Sequence, residues 1–129
     1  MGLNIEEMDA RVSVFAQMES ENAPVVLINK FTAPPEAADA LLAAWTHDAE
    51  FMRARPGFVS TQLHRGIGGS GVFVNVAEWE SVAAFRAAFS HPEFRARLEN
   101  YPPGVSASPH LFKKVAVPGV CGGGSGECE

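Results

Sequence analysis

An asparagine and a tryptophan four residues apart are the first candidates for a functional site. Asn75 and Trp79 belong to the segment 71–79, in which valines alternate with Phe, Asn, Ala and Trp. Because strand side chains alternate between two faces, this segment predicts a strand with Asn75 and Trp79 on the same face. That face is otherwise apolar, and a buried amide is costly unless it is paired. Asn75 therefore belongs either to a structural hydrogen-bond network or to a ligand site.

Two further polar side chains lie on neighbouring predicted strands. Asn29 stands among apolar residues on one face of the segment 25–32, although Lys30 beside it is typical of a solvated position. His64 lies on the next predicted strand and could act as a general base, although a partly exposed strand histidine is the commoner role.

The histidines and cysteines do not form a metal-binding pattern. No two of the four histidines have the i, i+4 spacing of a helical ligand pair. Cys121 and Cys128 are too far apart for a metal hairpin, and further ligands are missing from the pattern. We expect no metal site, and the glycine-rich residues 118–129 predict a flexible tail carrying both thiols.

The elements that must position these residues follow the order strand, helix, strand, strand, helix, strand. The strands are predicted over 25–32, 58–67, 71–79 and 108–117. The first helix is predicted over 35–54, and the second is capped by Ser81 and followed by a short helical turn after Pro92. This order is typical of the α+β, ferredoxin-like split βαβ fold (βαββαβ), in which two helices cover one face of a four-stranded antiparallel sheet. We expect a domain over 23–117, preceded by an N-terminal extension, 1–22, with a short helix.

The second face of the predicted sheet also needs cover. The first and third strands are apolar on both faces, whereas two helices cover only one face. The simplest cover is the same sheet of another subunit, so we expect a homodimer that pairs through its sheet faces.

Composition narrows the class of protein. A chain of 129 residues suits one domain, and 47% hydrophobic residues are ordinary for a globular protein. The net charge is −5 without a basic stripe, so nucleic acid is not an expected partner. No apolar run approaches the ~20 residues of a membrane span, and no signal peptide is visible, so we expect a cytoplasmic protein without membrane association.

Three motifs carry a resemblance to a known family. They are Val25-Val-Leu-Ile-Asn-Lys-Phe31, Arg55-Pro-Gly-Phe58, and Val76-Ala-Glu-Trp-Glu-Ser81 followed by Ala84-Phe85. Over residues 24–117 the chain resembles the antibiotic biosynthesis monooxygenase family, whose members are dimeric α/β-barrel proteins. One branch oxidises aromatic polyketides with molecular oxygen and no cofactor, and it uses an asparagine and a tryptophan on the third strand. Asn75 and Trp79 match that pair, whereas Phe85 replaces a tyrosine of the same branch.

A second branch of the family binds and degrades haem. It uses an asparagine on the first strand, which Asn29 matches. Its tryptophan and its histidine ligand correspond to Ala88 and Arg97 here. Because arginine does not ligate haem iron as histidine does, we expect no cofactor and disfavour haem.

The resemblance implies a cofactor-independent monooxygenase that oxidises a small aromatic substrate, such as a phenol, a hydroquinone or a polyketide-like molecule. We predict Asn75, Trp79 and His64 as its catalytic residues. The predicted pocket residues are Asn29, Phe73, Phe85, Trp45 and Phe89. Two alternatives stay open: a dimer that binds a small ligand or haem without turnover, and a structural dimer with a filled core in which the backbone satisfies Asn75.

Overall fold

A mixed five-stranded sheet organises the chain. The structure, a computed structural model, describes residues 3–122. The strands are β1 (Asn4–Ile5), β2 (Val25–Thr32), β3 (Phe58–Arg65), β4 (Val72–Trp79) and β5 (Ser106–Phe112). The helices are α1 (Val14–Gln17), α2 (Ala38–Met52), α3 (Val82–Phe89) and α4 (Pro92–Arg97), with short 3₁₀ helices over Pro35–Ala37 and Leu98–Asn100.

The strand order is β1-β5-β2-β4-β3, and the pairs β5-β2, β2-β4 and β4-β3 are antiparallel. This arrangement confirms the predicted ferredoxin-like α+β fold. The two-residue strand β1, which pairs parallel with β5, adds a fifth strand that the sequence pattern did not predict.

The alternation of β4 separates the two faces of the sheet as predicted. Phe73, Asn75, Ala77 and Trp79 are buried on the face that the helices cover, while the alternate residues, Val72, Val74, Val76 and Glu78, are half-buried on the other face. The register places Asn29 of β2 directly opposite Asn75 of β4. The two amides therefore lie side by side on the helix-covered face.

Local sequence signals fix the helices. The Ser81 hydroxyl accepts a hydrogen bond from the Ala84 amide at 3.1 Å, which caps α3 as predicted. Ahead of α3, Gly57 adopts a positive φ of 86°. A Cβ at this position would overlap the Cβ of Ala84, so the turn between α2 and β3 needs glycine.

Strand β5 begins two residues earlier and ends five residues earlier than predicted. Lys113 and Lys114, which follow Phe112, are exposed and leave the sheet. Pro109 lies in the middle of the strand, opposite Asn29. Since β1 pairs only with Ser106 and Ala107 among residues 3–122, Pro109 falls on an edge where its missing N–H costs no ladder bond.

The segment before β2 packs against this edge. Gln17 donates to the carbonyl of Leu111 and accepts from its amide, each at 2.9 Å. Val14 and Met18 are buried in the core, at 0% and 5% exposure. Helix α1 is the short N-terminal helix that was expected, and the domain boundary at residue 23 stays a prediction.

From residue 123 onward, the predicted flexible tail lies outside the described residues, and so does Cys128. Before that point, Val117 and Cys121 form an isolated β-bridge. None of the helices within residues 3–122 has the length and apolar character to cross a membrane.

Candidate functional site

A cavity between the sheet and the helices is the candidate site. The enclosed interior has a volume of about 60 Å³, and the space reaches about 600 Å³ when the open mouth is included. The walls are mainly apolar and aromatic and come from both clusters of the core. The polar lining residues are Asn29, Asp48, Thr61, Asn75 and Tyr101. An apolar cavity with a few convergent polar groups is the usual form of a small-molecule site.

The paired amides supply hydrogen-bonding groups on the sheet wall. The Thr61 hydroxyl donates to Oδ1 of Asn75 at 2.5 Å, which fixes the orientation of that amide and leaves its amino group as a donor. Oδ1 of Asn29 is buried, and no polar atom of the described residues bonds to it. The pair thus offers a donor and an acceptor in an otherwise apolar wall.

Trp79 lies at the end of the same wall. It is 2% exposed and makes edge contacts with Phe58 and Phe85, at ring-centroid distances of 5.4 and 5.8 Å. Its Nε1 is also buried without a bonded partner in the described part of the chain. The neighbouring rings hold the indole, and its N–H is a second donor for a ligand acceptor.

The structure brings six of the eight predicted site residues to the cavity. These are Asn29, Trp45, Asn75, Trp79, Phe85 and Phe89. His64 is not among them: its Nδ1 lies 3.2 Å from the carbonyl of Val74, and its side chain is exposed on the opposite face of β3 from Thr61. The reason is strand alternation: residues 61 and 64 are three positions apart, so their side chains point to opposite faces of the sheet.

Phe73 does not reach the cavity either. It shares a face with Asn75 but lies at the far end of β4, where it packs with Phe31 in the second core cluster. Its ring lies under the guanidinium of Arg65, 5.1 Å from the ring centroid. Sharing a face was therefore insufficient to place a residue in the pocket.

Sequence reasoning missed a buried carboxyl group in the wall. Asp48 of α2 is 6% exposed, and its carboxyl lies beside Tyr101, which is 2% exposed. Burial raises the pKa of Asp48 to about 6, although the Tyr101 hydroxyl and the charge of Arg97 act in the opposite direction. Burial and the adjacent Asp48 carboxyl also raise the pKa of the Tyr101 hydroxyl. A signal was available: Asp48 lies three residues after Trp45 and four before Met52, on the same helix face.

The raised pKa predicts a pH-dependent stability. The folded protein binds the Asp48 proton more tightly than the unfolded chain, so the carboxyl stabilises the fold below pH 4 and this contribution is lost as the pH rises through 6. A rise from 3.8 to about 6 corresponds to about 3 kcal/mol. We expect Asp48→Asn to be more stable than the wild type at pH 7 and to show a smaller loss between pH 4 and 7.

Denaturant unfolding at several pH values would measure this difference. Asp39→Asn is the matched control, because it changes the same charge at an exposed position of the same helix. If Asp48→Asn and Asp39→Asn change stability equally at each pH, the burial of Asp48 has no such effect.

Comparison with known proteins identifies several relatives. The sequence model of a family described as antibiotic biosynthesis monooxygenase matches residues 24–99. A haem oxygenase (mycobilin-producing) of Mycobacterium tuberculosis is 32% identical over 101 residues, which are 78% of this chain and 96% of the relative.

Solved structures with a similar fold include two with informative ligands or activities. SnoaB, a cofactor-independent oxygenase from Streptomyces nogalater, has a TM-score of 0.65 and 26% identity, and the match covers 74% of this chain and 96% of SnoaB. A variant of MhuD with two manganese protoporphyrin IX molecules bound per active site has a TM-score of 0.59 and 32% identity, covering 74% of this chain and 98% of MhuD. The relatives therefore include both monooxygenases and haem-degrading proteins.

The expectation of a site without a cofactor is wrong. One relative is a haem oxygenase and a structural neighbour holds a metal protoporphyrin, so the comparisons point to haem binding. The expectation relied on Ala88 and Arg97, which stand at the positions of the haem branch's tryptophan and histidine ligand. These two positions concern one way of ligating the iron and do not decide whether a macrocycle binds.

The cavity fits a haem-type ligand only in part. Its apolar and aromatic walls suit a macrocycle, but in the described part of the chain no histidine lines it. Met52 and Tyr101 are the lining side chains of a type that ligates haem iron. Tyr101 is engaged by Asp48 and its raised pKa disfavours the tyrosinate. The interior of about 60 Å³ has room for a few waters, whereas a dry cavity that binds benzene measures about 150 Å³, so the walls would have to move a little for one ring and much further for a whole macrocycle. No catalytic step through iron follows from these residues.

Proposed function

Because the chain belongs to the antibiotic biosynthesis monooxygenase family, we propose that it is an oxygenase that acts on a planar aromatic molecule bound in this cavity. The observation that carries the proposal is the pair of facing amides, Asn29 and Asn75, in an otherwise aromatic and apolar wall. Planar aromatic character is what a haem-type macrocycle and a phenolic substrate share. Haem is the ligand that the relatives support, and a single-ring phenol or hydroquinone is the smaller ligand, which requires the least movement of the walls around the interior.

Each wall has a part in the proposed reaction. The rings of Trp79 and Phe85 pack against the aromatic ligand and exclude water from it. The amino group of Asn75 donates to an oxygen of the ligand on which negative charge develops, and Thr61 holds the amide in this orientation. Oδ1 of Asn29 accepts a hydrogen bond from a ligand hydroxyl or N–H group. One atom of molecular oxygen enters the ring and the other leaves as water, and the substrate itself supplies the electrons, so that a phenol loses two hydrogen atoms and becomes a quinone.

Ligand binding tests this proposal directly. The chain has two tryptophans, Trp45 and Trp79, and both line the cavity, so quenching of intrinsic fluorescence reports on this site. We expect saturable quenching by hydroquinones or by haem, with haem binding also visible as a change in its absorption spectrum. Oxygen uptake with the bound compounds then measures turnover.

His64→Ala is the control, since its side chain lies on the face of β3 away from the cavity and its removal should leave binding unchanged. Absence of saturable binding for haem and for every phenol, hydroquinone and anthrone of a panel would overturn the proposal. Binding without oxygen uptake would favour the second candidate function, a non-catalytic dimer that holds an aromatic ligand.

We also propose that the chain forms a homodimer through the outer face of the sheet. Val74 and Val76 of β4 and Ile28 of β2 are half-buried on this face, and Phe112 at its edge is 38% exposed. A contiguous apolar face of this kind supports pairing with a second copy of the same sheet. Sedimentation equilibrium would give twice the chain mass if this is correct and the chain mass if it is not.

A further inference from the structure

Two titratable side chains of the described cavity wall, Tyr101 and Asp48, have no part in the reaction proposed above, and the acidic one is Asp48. The side chain lines the cavity, and its Oδ1 is buried without a bonded polar atom among residues 3–122. The adjacent Tyr101 hydroxyl favours the ionised form of the carboxyl. A buried carboxyl that served the fold alone would be expected to satisfy its oxygens with protein donors.

The nearest cation does not pair with this carboxyl. Arg97 at the end of α4 donates to the carbonyl of His47 at 2.5 Å and to the Glu93 carboxylate at 2.8 Å. Its guanidinium acts on Asp48 only through its charge. The groups that act on Asp48 are therefore Tyr101, which follows the last 3₁₀ helix, and the charge of Arg97 in α4, which is itself paired with Glu93. This environment leaves one carboxyl oxygen available to a ligand.

We propose that Asp48 is the general base of the site and that it takes the proton of a phenolic hydroxyl group of the substrate. This inference rests on the proposed function and names its substrate class. The O–H bond of the substrate breaks, its proton bonds to Oδ1 of Asp48, and the electron pair stays on the substrate oxygen as a phenolate. The Tyr101 hydroxyl lies beside the carboxyl and favours its ionised form. A phenolate is the electron-rich form that reacts with oxygen, and the proton returns to water when the product leaves.

The assignment also predicts which ligands the site rejects. A methyl ether has no proton to give, so it binds through its ring alone. A ligand carboxylate directed at Asp48 would meet a like charge in a buried environment, which is unfavourable. The site therefore prefers phenols and hydroquinones over their ethers when Asp48 is ionised.

Raised pKa values near working pH are common for catalytic acids and bases, and the value of about 6 for Asp48 is in that range. Above this pH the carboxylate accepts a charge-assisted hydrogen bond from the substrate. Below this pH the carboxyl is neutral, and the hydrogen bond that it accepts is weaker. Affinity for a phenol should therefore rise as the pH passes through 6.

The experiment is calorimetric titration with hydroquinone and with 1,4-dimethoxybenzene between pH 5 and 8. For the wild type we expect about a tenfold gain in hydroquinone affinity across this range, the difference between a neutral and a charge-assisted hydrogen bond, and no change for the ether. Asp48→Asn should abolish the pH dependence for hydroquinone. Tyr101→Phe should move its midpoint to higher pH, because it removes a hydroxyl that favours the ionised carboxyl.

Asp39→Asn serves as the matched control and should reproduce the wild-type profile. A pH-dependent gain that persists in Asp48→Asn would overturn the inference, as would wild-type binding of both compounds without pH dependence. Wild-type protein that binds neither compound, and no other member of the aromatic panel, would overturn the proposed function together with this inference. The two failures are thus distinguishable.

Discussion

Replacing Asn75 by alanine is expected to lower the rate of oxygenation by about one to three orders of magnitude, the usual range for loss of one donor to a developing oxyanion. The amide is 9% exposed, and its carbonyl oxygen is held by the Thr61 hydroxyl, so its amino group is positioned before the substrate binds. Steady-state oxygen uptake with the preferred compound of the panel would measure the change. The loss should fall on kcat more than on KM, because the charge on the substrate oxygen develops during the reaction.

Two further variants separate the donor from the shape of the side chain. Asn75→Asp keeps the shape of the side chain but removes the amino group, so it should lose as much activity as Asn75→Ala. Thr61→Val keeps the amide but removes the group that orients it, so its loss should be smaller. Thermal unfolding of each variant would show whether the fold is intact. Undiminished turnover in a folded Asn75→Ala variant would contradict the role of this amide.

The sheet wall of the site could be predicted from sequence because strand geometry is simple. Alternation along 71–79 gave the shared face of Asn75 and Trp79, and the order of elements made the first and third strands neighbours in the sheet. The predicted face of Asn29 was correct for the same reason. The same alternation explains why His64 does not reach the cavity. His64 is three positions after Thr61, so its side chain lies on the opposite face of β3.

The helix wall could not be predicted in the same way. Residue type and spacing show an apolar stripe on α2 at Leu41, Trp45, Ala49 and Met52. Asp48 has the right spacing to lie beside this stripe, but residue type alone does not mark it as a wall residue. Tyr101 follows a loop, and no period relates it to α2. Their pairing depends on how α2 packs against the segment around residues 98–101, which is a tertiary contact. Buried polar pairs of this kind become visible only when the elements are assembled.

The N-terminal segment shows a related limit. The apolar spacing of the N-terminal extension fits a helix or a strand almost equally well, and the described residues 3–22 contain two residues of strand and four of helix. What fixes the segment is the bidentate contact of Gln17 with the backbone of Leu111, 94 positions away. Leu3 of this segment lines the cavity. A contact so distant in sequence leaves no local pattern, so its position could be found only in three dimensions.

Replacing Phe85 by alanine is expected to lower the free energy of unfolding by about 3–5 kcal/mol, the range for a buried phenylalanine. Phe85 is fully buried and its ring lies 5.2 Å from Phe89 and 5.8 Å from Trp79, centroid to centroid. Its removal leaves a cavity beside the indole, and the helices relax around such a cavity only in part. Urea unfolding followed by circular dichroism would measure the loss.

Phe15→Ala is the matched control, because Phe15 is 49% exposed and meets the same cluster at Phe89, with ring centroids 6.1 Å apart. Its loss should be within about 1 kcal/mol, as for most exposed positions. Equal losses in the two variants would contradict the placement of Phe85 in the core.

A third variant, Phe85→Leu, keeps most of the apolar volume but removes the ring that supports Trp79. It should therefore be more stable than Phe85→Ala and still bind an aromatic ligand more weakly than the wild type. Stability and binding would then separate at this residue, because the fold requires volume at position 85 and the ligand requires a ring.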